Sequence, residues 1–343
     1  MGKMTLPQFV GNGQIDFIER EMPEPAGGQL LIAPRANALC GSERGQYYNG
    51  SAVVPGHEAA GIVVAGGKGA KTEVGTHGVV FLMSFCGICG NCRSGATNQC
   101  LDKKADYGFT SDGGYGSFAV INENVFFPID PSIPFAEAIL LLDIMGTGGH
   151  SIKRARLLRQ DYECLLVTGA GPIGLGILAM AKLILGHDFP VLISDVIPYR
   201  LSLAEKLGGL PILAGELESG IKKHGLSSVD LLIDASGKQS AKQGGMKILS
   251  QRGAMICVGH GEGLQLEVSR DLISAERAVL GSEYFCYNEL AENHGLLKDN
   301  RNYLSQIITH RFGVSKIGDA FETFWRGETG KVVIEQPEHG EEK

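Results

Sequence analysis

Short apolar runs broken by glycine and proline occupy roughly the first 135 residues, at 29–34, 61–65, 78–83 and 117–121. Runs this short and closely spaced, with few helical patterns between them, predict the strands of a compact, barrel-like β domain. At residue 163 the pattern changes. ECLLVT (163–168) reads as a buried strand, residues 172–185 as a helix closed by Gly186, and PVLISD (190–195) as the next buried strand. Apolar runs at 229–235 and 253–259 flank a helix-like stretch at 238–250, and residues 278–282 offer a last strand. Uniformly apolar strands alternating with helices predict a parallel sheet covered on both faces. Beyond residue 285 the pattern is mixed again, with a strand expected at 331–335 and a polar tail at 337–343. There is no internal repeat and no low-complexity linker.

Composition narrows this picture without changing it. A chain of 343 residues has room for two domains, and 43% apolar with 20% charged residues is a folded composition. The 49 glycines suit many tight strand-to-helix turns. A net charge of −7 without a long basic run argues against nucleic acid or an anionic membrane as partner. The first residues lack the apolar core of a signal peptide, and the apolar stretch at 173–185 is interrupted by Lys182 and too short to span a bilayer. A cytoplasmic protein is expected.

GAGPIG follows the strand at 163–168 directly and opens the helix, with Gly169, Gly171, Pro172, Ile173 and Gly174 at the turn. Asp195 closes the next strand, 21 residues after Gly174. A glycine-rich turn alone is weak evidence, but strand, turn, helix and terminal acid together form a dinucleotide-binding fingerprint. Asp195 would accept the adenosine ribose hydroxyls and repel a 2′-phosphate, which favours NAD over NADP. Arg200 is a further candidate contact to the cofactor, although a solvated helix position is the preferred reading for it.

Four of the eight cysteines, Cys86, Cys89, Cys92 and Cys100, lie in one stretch with C-x2-C-x2-C-x7-C spacing. Short gaps let a turn bring successive thiolates to one zinc ion, at about 2.3 Å each. A disulfide pair or an iron–sulfur cluster are the alternatives. Upstream, Cys40 lies in ANALCGSERG and His57 in VPGHEAAG. Taken singly, a cysteine and a histidine in apolar surroundings are ordinary packing.

Together, the C-G-S-E run at Cys40, the G-H-E-A-A-G run at His57 and the four-cysteine lobe resemble the zinc-dependent medium-chain alcohol dehydrogenase family, in the family's order and over essentially the whole chain. The resemblance implies a GroES-like β-barrel catalytic domain (1–146, with the structural-zinc lobe at 85–101), a Rossmann domain (147–285) and a C-terminal return to the first domain (286–343). It implies two zinc ions per chain. The cysteine lobe would hold a structural one, and Cys40 and His57 would hold a catalytic one. The third ligand expected is Asp143, a carboxylate in an apolar run that is costly to bury unless paired or metal-bound. Glu58 competes for that place.

In the same resemblance Ser42 would take the proton of the substrate alcohol, and Glu43 would orient His57 through its other ring nitrogen. Gly45 stands where many alcohol-oxidising relatives carry a relay histidine, which points toward polyol, sugar, aminocyclitol or threonine-type substrates. Tyr47, Tyr48, Phe85, Phe109 and Tyr115 could line a pocket or simply pack. Cys164 and Cys257 read as packing, and His310 and Arg311 as structural. The implied reaction is reversible oxidation of a secondary alcohol with NAD, in a homodimer or homotetramer. The rivals are a zinc-independent quinone or enone reductase and a non-catalytic nucleotide-binding protein.

Overall fold

The computed structural model describes residues 2–337, so residues 338–343 of the expected tail lie outside the described residues. The chain opens with a hairpin that the reading above does not contain. Lys3–Gly11 pairs antiparallel with Gln14–Glu21, and Met4, Leu6 and Phe9 are buried on its inner face. Asn12 and Gly13 turn the chain with φ of 52° and 77°, the two left-handed residues that a tight hairpin turn requires.

The first sheet has the order Ile308–Gly313, Lys331–Glu335, Gln29–Ala38, Ala59–Gly66, His77–Val80, Phe126–Pro128, with Ala119–Asn122 also paired to Gln29–Ala38. Five of its strands coincide with the runs expected at 29–34, 61–65, 78–83, 117–121 and 331–335, shifted or lengthened by a few residues, whereas Phe126–Pro128 and Ile308–Gly313 were not expected. Lys331–Glu335 lies antiparallel to Gln29–Ala38, so the end of the chain completes the sheet begun near its start. Helix Ile317–Arg326 falls within the mixed closing segment and buries Ile317, Ala320, Phe321 and Phe324, one stripe at helical spacing.

The second sheet is entirely parallel. Its order is Leu210–Leu213, Val191–Asp195, Leu165–Thr168, Val229–Asp234, Leu249–Cys257, Ala278–Gly281. This is the doubly wound dinucleotide fold, and its strand order reverses between Leu165–Thr168 and Val229–Asp234, where ligands enter such sheets. Helix Pro172–Ile184 follows the glycine turn. A Cβ on Gly174 would lie 1.7 Å from the Gly169 carbonyl oxygen, so only glycine allows the helix this close to the turn.

One hydrophobic core runs through both sheets. Ile32, Val63 and Val79 of the first, Leu141 and Met145 of the connecting segment, Val167 and Ile256 of the second, and Leu175 of the helix after the glycine turn belong to the same buried cluster. The cleft between the sheets is therefore floored by packed side chains, and the connecting segment that carries Asp143 lies in that floor.

Candidate active site and metal centres

Cys40 lies two residues beyond the strand Gln29–Ala38 and caps a short turn, Gly41–Glu43, whose Glu43 carboxylate folds back to accept the Cys40 amide at 3.3 Å. His57 and Glu58 precede the neighbouring strand Ala59–Gly66. Asp143 opens a wide helical turn, Asp143–Thr147, which continues into helix Gly148–Arg156. That turn is pressed against helix Pro172–Ile184 at Gly176, where a Cβ would come within 2.4 Å of the Ile144 carbonyl oxygen. Three distant segments thus converge. Ligand atoms of Cys40, His57, Glu58 and Asp143 all lie within 4.8 Å of one another.

Each member of this set has a defined environment. His57 is buried, with Nδ1 3.3 Å from Glu43 Oε1 and Nε2 3.6 Å from Asp143 Oδ2 and 4.0 Å from Glu58 Oε1. The second Glu43 oxygen accepts the Tyr115 hydroxyl at 2.9 Å. Glu43 therefore reaches the histidine and is itself fixed by a buried tyrosine. Glu58 is buried and paired through Oε1 with the buried Lys331 ammonium, while its Oε2 is buried without a hydrogen-bond partner among the described residues.

Electrostatics in this cluster follow from burial and crowding. Burial, reinforced by the Asp143 charge, pushes the Cys40 thiol up. The same two causes, burial first and Asp143 second, raise Glu58 to about 8 against the opposing pull of Lys331 and His57. Burial also works against ionisation of Asp143, but hydrogen bonding and charge from His57 outweigh it and hold the carboxyl below its usual range. Burial works against the charge on Lys331 too, yet the Glu58 and Asp143 charges raise it to about 12. Thiol, imidazole and carboxylates compressed into one dry volume, with one carboxylate oxygen left unpaired, are the donor set a zinc ion requires.

The cysteine lobe differs in kind. All eight cysteines of the chain are free thiols. The sulfurs of Cys86, Cys89, Cys92 and Cys100 lie within 4.8 Å of one another, and Cys86 Sγ is 3.9 Å from Cys92 Sγ. That separation is far beyond a disulfide bond and close to the edge, about 3.8 Å, of a tetrahedron with zinc–sulfur bonds. Backbone amides point at the sulfurs, from Cys86 to Cys100 at 3.2 Å, from Cys89 to Cys86 at 3.3 Å and from Cys92 to Cys89 at 3.4 Å. Amides of Leu101 and Cys92 bring the Cys89 thiol down to about 6. Four donors close a tetrahedral shell, so this centre offers no position to a substrate. A third group, His150, Cys286 and Glu289, is also compact, but Lys153 Nζ lies 3.6 Å from Glu289 and already counters its charge.

The cofactor residues are placed around two connected cavities. One, of about 950 Å³, is lined by Thr168, Gly169, Gly171, Asp195 and Arg200. The other, of about 590 Å³, is lined by Cys40, Ser42, His57, Asp143, Pro172, Ile173 and Gly174. Gly171, Arg200, Ala235 and Ser236 border both. Asp195 is buried and spends both oxygens on the turn, accepting the Ala170 amide at 2.7 Å and the Ile197 amide at 2.9 Å. Arg200 is not the solvated helix residue expected. It turns inward, with Nη1 3.8 Å from Asp195 Oδ2, because the neighbouring carboxylate and the polar cavity draw the guanidinium in.

Of the five candidate aromatics, Phe109 lines the cleft, with its ring 4.9 Å from the His57 imidazole. Tyr47 packs on Phe321 and Phe85 on Tyr287, Tyr48 stacks under Arg44, and Tyr115 is taken by Glu43. Arg311 pairs with Glu335 and His310 Nδ1 meets Thr309, both away from the cleft lining. The sequence offers no site role for Lys331, and Tyr115 enters it only as a pocket or packing aromatic, not as the partner of Glu43. A lone lysine opening the apolar run KVVIE was the signal for the first; the second had none.

Comparison with known proteins agrees with this geometry. Residues 26–131 match the alcohol dehydrogenase GroES-like domain, and residues 172–299 match the zinc-binding dehydrogenase family. The chain belongs to the zinc-dependent medium-chain alcohol dehydrogenase family, and it is an alcohol dehydrogenase that works with a nicotinamide cofactor. Among its relatives is the uncharacterized zinc-type alcohol dehydrogenase-like protein YphC of Escherichia coli, 28% identical over 98% of this chain and 100% of that one. L-threonine 3-dehydrogenase of Pyrococcus abyssi is 28% identical over 93% of this chain and 94% of its own length. Of solved structures, alcohol dehydrogenase TADH from Thermus sp. ATN1 superposes with a TM-score of 0.87 at 22% identity, covering 97% of this chain and 100% of that one. No helix among the described residues is long and apolar enough to cross a membrane.

Proposed function

We propose that the protein oxidises a secondary alcohol carrying further polar groups to the ketone, reversibly, with NAD as hydride acceptor and one zinc ion at Cys40, His57 and Asp143. The observation that carries this reading is the convergence of those three side chains on the wall of a cavity that also contains Gly171–Gly174. Zinc supplies Lewis-acid polarisation of the substrate hydroxyl, and nicotinamide supplies the acceptor for the hydride on the carbinol carbon. The protein supplies the rest. Tyr115 holds Glu43, and Glu43 accepts a hydrogen bond from His57 Nδ1–H, so that Nε2 presents its lone pair toward Asp143 and the metal position. Cys40 and Asp143 contribute two negative charges, while Lys331 neutralises Glu58 and keeps one of its oxygens occupied. Glu58 is on this account the exchangeable fourth donor.

Ser42 stands exposed on the cleft wall and accepts the alcohol proton, which leaves to solvent because Gly45 offers no imidazole to continue a relay. The buried Asp195 carboxylate at the adenosine end disfavours a 2′-phosphate, and Arg200 contacts the cofactor where the two cavities meet. The cysteine lobe takes the second, structural zinc. Exposed Ile88 and Leu101 on that lobe support a subunit contact in a homodimer or homotetramer. We take 1–146 with 286–343 as the catalytic domain and 147–285 as the nucleotide domain of a cytoplasmic enzyme.

The test is an NAD-reduction screen over polyols, aminocyclitols and hydroxy-amino acids, with and without a chelator, together with metal analysis. Chelator-sensitive NADH from at least one class is expected. Failure of every class to yield NADH would reject the reading.

A further inference from the structure

Four polar atoms buried on the wall of the catalytic cleft have no hydrogen-bond partner among the described residues: Arg200 Nε, Ser282 Oγ, Tyr284 Oη and Trp325 Nε1. A buried donor left unpaired is costly, so a cleft that collects several is built for a polar ligand. Tyr284 is the one closest in charge to the metal position. Burial first, then the negative charges of Asp143, Glu58 and Cys40, raise its pKa and keep it a donor, outweighing the Leu82 backbone, which acts on the hydroxyl in the opposite direction.

The backbone at Tyr284 is unusual as well. Its φ is 45°, in the left-handed region that a bulky aromatic residue rarely occupies, and such strain persists only where surroundings impose it. The surroundings are identifiable. Asn98 of the cysteine lobe donates to the Glu283 carbonyl at 2.6 Å, and its other amide atom meets Cys286 Sγ at 3.3 Å. Thr97 Oγ1 accepts the Tyr287 amide at 2.8 Å. Phe285 packs on Gly146, and Phe81 lies 5.3 Å from the Tyr284 ring. The segment is thus clamped on both sides of Tyr284, by residues lying between Cys92 and Cys100.

We infer that Tyr284, held in a strained conformation by the cysteine lobe, donates a hydrogen bond to a second hydroxyl of the substrate and so selects vicinal diols and polyols over simple alcohols. This rests on the secondary-alcohol reading above and names the substrate class of the same site. It also gives the closed cysteine centre a role in specificity, as the anchor of the residue that reads the substrate.

The test compares butane-2,3-diol with butan-2-ol on zinc-loaded protein, by calorimetric binding in the presence of NADH and by kcat/KM with NAD. Tyr284→Phe keeps the ring and its packing, and its melting temperature serves as the folding control. The native protein is expected to favour the diol by about fivefold or more, and Tyr284→Phe to remove most of that preference through the diol's Kd and KM, with little change in kcat. No preference in the native protein, or a preference that survives Tyr284→Phe, overturns the inference. Diol-selective binding abolished in Tyr284→Phe without NADH from either alcohol would uphold it, and the NAD-reduction screen over all substrate classes would then decide the dehydrogenase reading separately.

Discussion

At the scale of single residues, the least replaceable contact is between Glu58 and Lys331, two fully buried side chains 273 positions apart. Removing one partner of such a pair leaves a charge without compensation. Lys331→Met is expected to lose about 3–5 kcal/mol of stability in chemical denaturation, and Glu58→Gln combined with Lys331→Met to lose much less. A similar argument applies to Glu43. Glu43→Gln is expected to weaken zinc at the catalytic centre about 10–100-fold in a competition titration, because His57 loses the carboxylate that fixes its tautomer. Cys40, His57 and Asp143 were legible because their types and motifs point to metal. Lys331 and Tyr115 were not, because a lysine in a strand and a tyrosine near a glycine run acquire meaning only from partners that the fold supplies.

At the scale of elements, helix Glu289–Leu304 docks on the first sheet through a neutral histidine. His294 Nε2 accepts the Asp130 amide at 3.2 Å, which only an unprotonated nitrogen can do. Burial and then the Lys298 charge lower its pKa, with Asp130 opposing. Because the folded pKa lies below the unfolded value of about 6.5, the unfolded chain binds more protons as pH falls through that value. The contribution is fully present above about pH 7.5 and is lost on acidification. The fall in Tm between about pH 7.5 and pH 5.5 should be larger in the native protein than in His294→Gln, whose side-chain oxygen can still accept the amide. Gly176→Ala tests the seat of the Asp143 turn. Its Cβ would meet the Ile144 carbonyl oxygen, so a lower Tm and weaker metal binding are expected. Five of the six strands of the parallel sheet and the helices Pro172–Ile184 and Gln239–Ile248 are legible in the apolar pattern, but the edge strand Leu210–Leu213 and the helices Pro198–Lys206 and Leu217–Lys223 are not, because a short half-exposed strand carries no uniform apolar run. The opening hairpin was missed although Asn12-Gly13 between alternating residues signals one, and helix Ile317–Arg326 although its apolar stripe does.

At the scale of the whole molecule, two donor clusters of opposite design lie on one chain, a buried mixed set at Cys40, His57, Glu58 and Asp143 and a four-cysteine set on a lobe. Cys89→Ser with Cys92→Ser is expected to halve the zinc content and lower Tm, as measured by metal analysis and thermal unfolding. The sequence by itself determined the two sheets, the dinucleotide turn and the residue types that bind metal, because periodicity and short-range spacing are local properties. The clustering of four cysteines within fifteen residues is likewise a local property of the sequence. Only the tertiary structure decided which distant side chains neutralise, orient and compete with the ligands. Lys331 reaches Glu58, Tyr115 reaches Glu43, Arg200 turns in toward Asp195, and Asn98 fixes the backbone beside Tyr284. Those relations arise when a strand from the end of the chain joins a sheet from its start and a surface lobe folds against the cleft. Burial then turns each new proximity into a strong electrostatic or hydrogen-bonding constraint.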